Sequence, residues 1–366
     1  MTPSAHITVP RDDAAIDVHH HMFPPALLAA LSSAGVDRIG GEPVAASWSP
    51  ERSLELMDRY GIGAAVLSVP VSLGFLDADS RRALTRRLNE AGHDAARRWP
   101  ARFGFFATLP LPDVHASVEE LRYALDELGA DGVGLLTNHE GIYQGDGRLD
   151  PVYAELDARD AVAFVHPTVP PSAPPLDGTG ASAPVLQPSL LEFPFETTRA
   201  IATLLVSRMP ERFPRIRPVF THSGGCVTSV AGRLIDRRPI VAEYTATAAD
   251  GGAQSIERIE ELLERAQLDA ADALATFHYD VALSTDQQAL AGLTRLVPTS
   301  RLLLGTDYPM GQEVGAHVTL HGIESFPGFT AADRVAVRSG NAAQLFPRLA
   351  RGRDAAGDGT RAAATR

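Results

Sequence analysis

Lysine is absent from the 366 residues: every one of the 33 basic side chains is an arginine. That excludes Schiff-base catalysis through a lysine, and it excludes a carboxylated lysine bridging two metal ions. Cysteine occurs once, as Cys226, so no internal disulfide can form and a reducing, cytoplasmic setting is expected. No apolar run reaches the roughly 18 residues of a membrane-spanning helix, so no membrane association is expected. Residues 1–10 hold neither a basic region nor an apolar stretch, and a secretory signal is not expected there. Positive charge is also in deficit, with 33 basic against 45 acidic residues and a net charge of −12. Nucleic acid is a poor partner for such a chain, because binding there rests on a basic surface that neutralises phosphates. Arginines gathered at a pocket could still attract a small anion.

What is present is a sizeable apolar fraction, 45% of residues against 21% charged, as in an ordinary globular protein. Short apolar runs rich in β-branched residues fall at 14–21, 64–70, 103–110, 132–138, 162–168, 217–223, 277–284 and 301–309. They are apolar on both faces, which suits a parallel sheet buried on both sides. Segments such as 117–128 and 256–266 lie between them with apolar residues at helical spacing. Strands alternating with helices in this number predict an α/β fold, a (β/α)8 TIM-type barrel with long βα loops over its active-site face. A doubly wound sheet would carry a glycine-rich phosphate turn after its first strand. That position holds His19, His20 and His21 followed by prolines. The expected organisation is an N-terminal extension over 1–13, the barrel over 14–350 and a disordered tail over 351–366. The stretches 167–191 and 236–254 are expected to cover the active-site face.

The chemistry-bearing residues fall at strand ends. Side chains alternate along a strand, so His19 and His21 share a face and His20 points the other way. Two imidazoles on one face at the barrel mouth can bind a single cation together. The fifth strand ends on His166, the sixth on His222 and the eighth on Asp307. Polar residues at several C-terminal strand ends are poorly explained by stability, since barrel enzymes place catalysis on that face. Imidazole with carboxylate suits a borderline divalent metal such as zinc. His278, on strand seven, is a candidate pocket residue. His20 is expected to pack in the barrel, and His6, His93, His115, His317 and His321 are read as surface residues.

These residues sit in strings that resemble the amidohydrolase superfamily. The strings are DVHHHMFPP at the start, VFTHSGG, LLLGTDYPM, the run 340–346 (GNAAQLF) and LEFPFETTR over 191–199. The resemblance extends from about Ile16 to Phe346 and is strongest to the metal-dependent decarboxylase branch, that of aminocarboxymuconate semialdehyde and 6-methylsalicylate decarboxylases. It implies one divalent ion, Zn2+ or Mn2+, held by His19, His21, His166 and Asp307. It further implies that His222 stays off the metal as an acid/base. The missing lysine agrees, because binuclear relatives bridge their ions through a strand-four lysine. Here Glu140, just beyond strand four, could serve as a substitute bridge. His139 lies in a string that resembles the branch's substrate-facing loop, and Arg199 or Arg233 could anchor an anionic group of the substrate.

The expected reaction is non-oxidative decarboxylation of a small aromatic or unsaturated carboxylic acid, with Asp307 and His222 moving the proton. Hydrolysis or hydration of a lactone, amide or C–C bond through a metal-activated water uses the same residues and is the alternative. A barrel that binds metal without catalysing anything is a third reading, against which stands the complete set of site residues. The expected partners are a small carboxylate and a second copy of the chain in a homodimer.

Overall fold

A computed structural model describes residues 14–170, 186–235, 240–243, 245 and 256–350. The extension over 1–13, the tail over 351–366 and much of the two covering stretches lie outside the described residues.

Eight strands form one sheet in sequence order. They are β1 (Ala15–His21), β2 (Ile62–Ser68), β3 (Phe103–Ala107), β4 (Gly132–Leu136), β5 (Val162–His166), β6 (Arg217–Phe220), β7 (His278–Asp280) and β8 (Leu302–Leu303). Every neighbouring pair is parallel. The chain beyond β8 returns to β1: Asp307 N–H donates to the His19 carbonyl at 2.8 Å, and Val18 N–H donates to the Leu304 carbonyl at 3.0 Å. The sheet is thereby closed as the (β/α)8 barrel that the eight apolar runs predict. All seven residues of β1 and all five of β5 are buried, as expected of strands covered on both faces.

Two apolar layers hold it together. Inside the barrel, Ile16, Val18, Val66, Phe106, Phe164 and Leu303 pack on one another, with Phe106 and Phe164 stacked at 4.9 Å. The Asn341–Leu345 helix and Phe346 close the bottom. Asn341 fixes that helix by donating from Nδ2 to the carbonyls of Thr299 and Leu302, at the start of β8. Outside the barrel, Ala65, Phe105, Leu135, Val165 and Phe220 meet apolar stripes of the surrounding helices. Those helices begin where the sequence supplies caps. Asp77, Asp113 and Asp286 accept backbone N–H groups of the first turn. Among the described residues no helix is long and apolar enough to cross a membrane.

The strands stop earlier than the apolar runs suggest, β6 and β8 among them. The reason is local geometry. His222, two residues past β6, has φ of 53° and Asp307, four past β8, has 59°, left-handed values through which a strand cannot be extended. Histidine and aspartate tolerate this region better than β-branched residues do, and such conformations gather at functional sites.

Candidate metal centre

β1 is not a regular strand. Its pairing with β2 shifts register between Asp17 and His20, so the simple alternation is interrupted there. Val18 belongs to the barrel interior, and His19 packs edge-on against Phe164 of the same interior, 5.1 Å between ring centres. His20 turns outward, with Nδ1 on Asp17 at 2.9 Å and Nε2 on Ser53 at 2.9 Å. His21 returns to the site. The shared face of His19 and His21 is therefore as expected, and His20 is a packing residue. Asp17 also accepts from the Thr306 hydroxyl at 2.6 Å and from the Thr306 N–H at 3.0 Å. This buried carboxylate locks β1 to the segment that carries Asp307.

The four imidazoles are all tied down at Nδ1. His166 Nδ1 lies 2.8 Å from the Pro167 carbonyl and His222 Nδ1 lies 3.0 Å from the Ala282 carbonyl. A carbonyl only accepts, so both nitrogens carry the proton. His19 Nδ1 donates to the Asp280 carboxylate at 3.0 Å. Ser68 Oγ gives its proton to the His20 carbonyl and so accepts from His21 Nδ1 at 2.8 Å. With Nδ1 engaged in this way, Nε2 is the nitrogen that each ring offers to the site.

Those nitrogens converge. His19 Nε2 and His21 Nε2 are 3.0 Å apart, and Asp307 Oδ1 lies 3.2 Å from the first and 2.9 Å from the second. Ligand atoms of His19, His166, His222 and Asp307 all lie within 4.8 Å of one another. His19, His21, His166 and Asp307 are buried. Burial draws the His19 imidazole down, but the Asp280 and Asp307 carboxylates overcome it and raise it to about 10. Burial lowers His21 to about 4. Burial, with His21 and His19 beside it, also holds His166 well below the usual histidine range. Asp307 is pushed up by burial, yet His19 and His21 hold it well below the usual carboxylate range. The Asp280 and Asp307 carboxylates favour positive charge here while His21 and His166 are held towards the neutral form, and imidazoles with a carboxylate are the donor set of a divalent metal. With Nδ1 already engaged on every ring, the residues fit such an ion without rearrangement of their supports.

Asp280 is the residue that sequence reasoning passed over. Fully buried at the end of β7, it accepts from His19 Nδ1, from the His222 N–H at 3.2 Å and from the Ala282 N–H at 2.9 Å. One carboxylate therefore orients both a candidate ligand and the carbonyl that holds the His222 ring. The signal was an aspartate at a strand's C-terminal end, the same signal that singled out Asp307. Asp280→Ala is expected to weaken metal affinity about 10–100-fold, the usual cost of losing an orienting partner. Competition against a chelating dye measures this, and unchanged affinity would remove Asp280 from the support of the centre.

The ETT segment serves the site as a clamp. It lies in the Pro188–Val206 helix, where the buried Glu196 accepts from Asn138 Nδ2 at 2.9 Å, from Tyr143 Oη at 3.1 Å and from Arg199 Nε at 3.0 Å. Thr198 donates to the Pro194 carbonyl and accepts the Cys226 N–H at 2.8 Å. The helix thus binds the loops after β4 and β6 together. Gly225 passes so close that a Cβ there would sit 2.1 Å from the Pro194 carbonyl, which only glycine avoids. The same helix brings the Phe193 ring to 6.0 Å from the His166 ring, an aromatic wall that the sequence reading did not single out.

The remaining candidates lie elsewhere. Arg199 is committed to Glu196 and sits over the Tyr143 ring, 5.5 Å from its centre. Arg233 is exposed on the Ala231–Arg233 turn. Among the described residues neither contacts the histidine–aspartate cluster. His139 is buried, and its Nε2 accepts the Leu136 N–H at 3.2 Å, a bond that ties down its own loop. Burial and then Arg81 lower it to about 3. Glu140 pairs with Arg81 at 2.6 Å rather than joining the cluster. His278 opens β7 at the other end of the barrel and lies 3.1 Å from Arg301, so it does not line the mouth.

A closed parallel barrel with buried histidines and an aspartate converging at its C-terminal mouth has the form of a barrel enzyme with a candidate metal centre. Residues 16–348 match the amidohydrolase family as a whole, and the chain belongs to that family. It is 31% identical to a 6-methylsalicylic acid decarboxylase of Aspergillus aculeatus, over 92% of this chain and 97% of that one. Among solved structures, an amidohydrolase II superposes with a TM-score of 0.78 at 26% identity, covering 91% of this chain and all of the other. A manganese-bound dihydroxybenzoic acid decarboxylase from Polaromonas shares the fold, with a TM-score of 0.68 at 21% identity over 91% and 97% of the two chains.

Proposed function

We propose that this chain is a metal-dependent, non-oxidative decarboxylase of a small aromatic or unsaturated acid of the 6-methylsalicylate kind. The observation that carries this is the convergence of four oriented imidazoles and Asp307 in a chain so similar, nearly end to end, to decarboxylases. His19, His21, His166 and Asp307 would hold one zinc or manganese ion. When bound, that ion would neutralise the substrate carboxylate and fix its orientation. The inclusion of His21 is supported by its contacts of 3.0 and 2.9 Å to His19 and Asp307.

The protein's own groups then have to place one proton. His222, held at Nδ1 by the Ala282 carbonyl, keeps Nε2 for exchange with substrate or water. Asp307, whose carboxylate lies 3.2 and 2.9 Å from the His19 and His21 rings, would relay that proton at the same mouth. The proton goes to the ring carbon bearing the carboxylate. The electron pair of the C–C bond returns to the ring, and carbon dioxide leaves. Phe193, beside His166, offers an apolar face for the ring and helps to keep water away from the reacting carbon.

The test is a panel of ortho-hydroxybenzoates, 6-methylsalicylate among them, set against lactones and amides with metal-loaded enzyme. Carbon dioxide is expected from at least one hydroxybenzoate. Turnover of a lactone or amide with no carbon dioxide from any acid would establish the metal-activated-water hydrolase instead.

A further inference from the structure

The Gln312–Ser325 helix, which follows the segment carrying Asp307, contains two histidines one turn apart, His317 and His321. Both are exposed, whereas Gly315, Ala316, Thr319, Gly322 and Ile323 on the inward side are buried. Residues four apart on a helix stand one above the other on the same face. The structure shows the two rings close to parallel, 23° apart, with their centres 6.2 Å from each other. One turn earlier on the same face lies Glu313, whose carboxylate accepts from Arg59 and from Tyr60 Oη. The Tyr60 ring borders His317 at 6.4 Å.

We propose that His317 and His321 form a second metal site, a two-histidine chelate for a borderline divalent ion such as Zn2+, Ni2+ or Cu2+, on the outer surface of the barrel. Two imidazoles at positions i and i+4 are the spacing by which a helix presents a pair of nitrogens to one ion. The rigid helix holds the second ring near any ion caught by the first, so the second bond forms at high effective concentration. Both rings are at the surface and can turn their Nε2 atoms together without disturbing the core. The remaining coordination positions face water, since the two glutamates of the helix, Glu313 and Glu324, are engaged by Arg59 and Arg338. Nitrogen donors rank Cu2+ above Ni2+ and Zn2+, with Mn2+ weakest, so this site discriminates against manganese. It shares no residue with the centre at the barrel mouth.

The test uses the full-length, untagged protein with its catalytic metal in place, titrated with Ni2+ in a calorimeter. One additional equivalent is expected, with affinity falling by at least about tenfold in His317→Ala and equally in His321→Ala, since either change leaves a single imidazole. His115→Ala, which removes an exposed histidine elsewhere, should change nothing. Turnover of the carboxylic acid should be unaltered in all three variants, so failure here is separable from failure of the decarboxylase reading. Absence of the additional equivalent, or its persistence at full affinity in either single variant, would overturn the proposal.

Discussion

His166→Ala protein is expected to carry far less than the one equivalent of zinc or manganese expected of the parent chain, and to have lost nearly all turnover. The imidazole contributes a lone pair that alanine cannot replace, and it does so from a buried site with Nδ1 already bonded to the Pro167 carbonyl. Loss of an orienting group costs about 10–100-fold in affinity, and loss of a ligand should exceed that. His19→Ala should behave in the same way, with the added penalty that Asp280 and Asp307 lose the ring between them. Elemental analysis after dialysis against a weak chelator makes the measurement. It is best done in a chain lacking His317 and His321, so that a surface ion is not counted. Full occupancy in either variant would remove that residue from the ligand set, and two tightly held ions in the parent would end the single-metal reading.

His222→Ala is expected to behave differently: metal retained, turnover reduced by about 10²–10⁴-fold, the usual worth of a positioned acid/base. The geometry makes this an exacting test, because the ligand atoms of His222, His19, His166 and Asp307 fall within one 4.8 Å group. If His222→Ala protein loses its metal and regains activity in excess cation, His222 is a ligand and the proton must come from elsewhere. Gly224 and Gly225, both at positive φ, shape the turn that presents this ring.

The barrel, and the strand-end histidines and aspartate that meet at its mouth, were legible because each depends on local pattern. Apolar runs at regular intervals report strands buried on both faces, and a polar residue ending such a run reports the catalytic rim. Other features depend on contacts between distant segments, and no local pattern encodes them. The register shift in β1 that sets Val18 and His19 together inside the barrel is one. The commitment of Arg199 to Glu196 is another: three residues apart on a helix, the two pair wherever Glu196 is buried under the loop after β4. An arginine near an anionic substrate's site read alone suggests recognition, yet here a buried carboxylate competes for it. Asp280 was visible as a residue and not as a role, since its three bonds come from β1, the turn after β6 and its own loop. The ETT string was legible as a resemblance, and its physical function as a clamp between two loops emerged only with the fold.

The most direct test of metal-dependent decarboxylation is turnover of the accepted hydroxybenzoate in heavy water by metal-loaded enzyme, with the product read by proton NMR and mass spectrometry. One deuterium should appear in each product molecule, on the carbon that carried the carboxylate, with one carbon dioxide released per deuterium. Removing the metal should abolish both together. Deuterium at another position, or product formed without carbon dioxide, would contradict decarboxylation at this centre, and undiminished turnover in the metal-free protein would contradict the role assigned to the histidine–aspartate cluster.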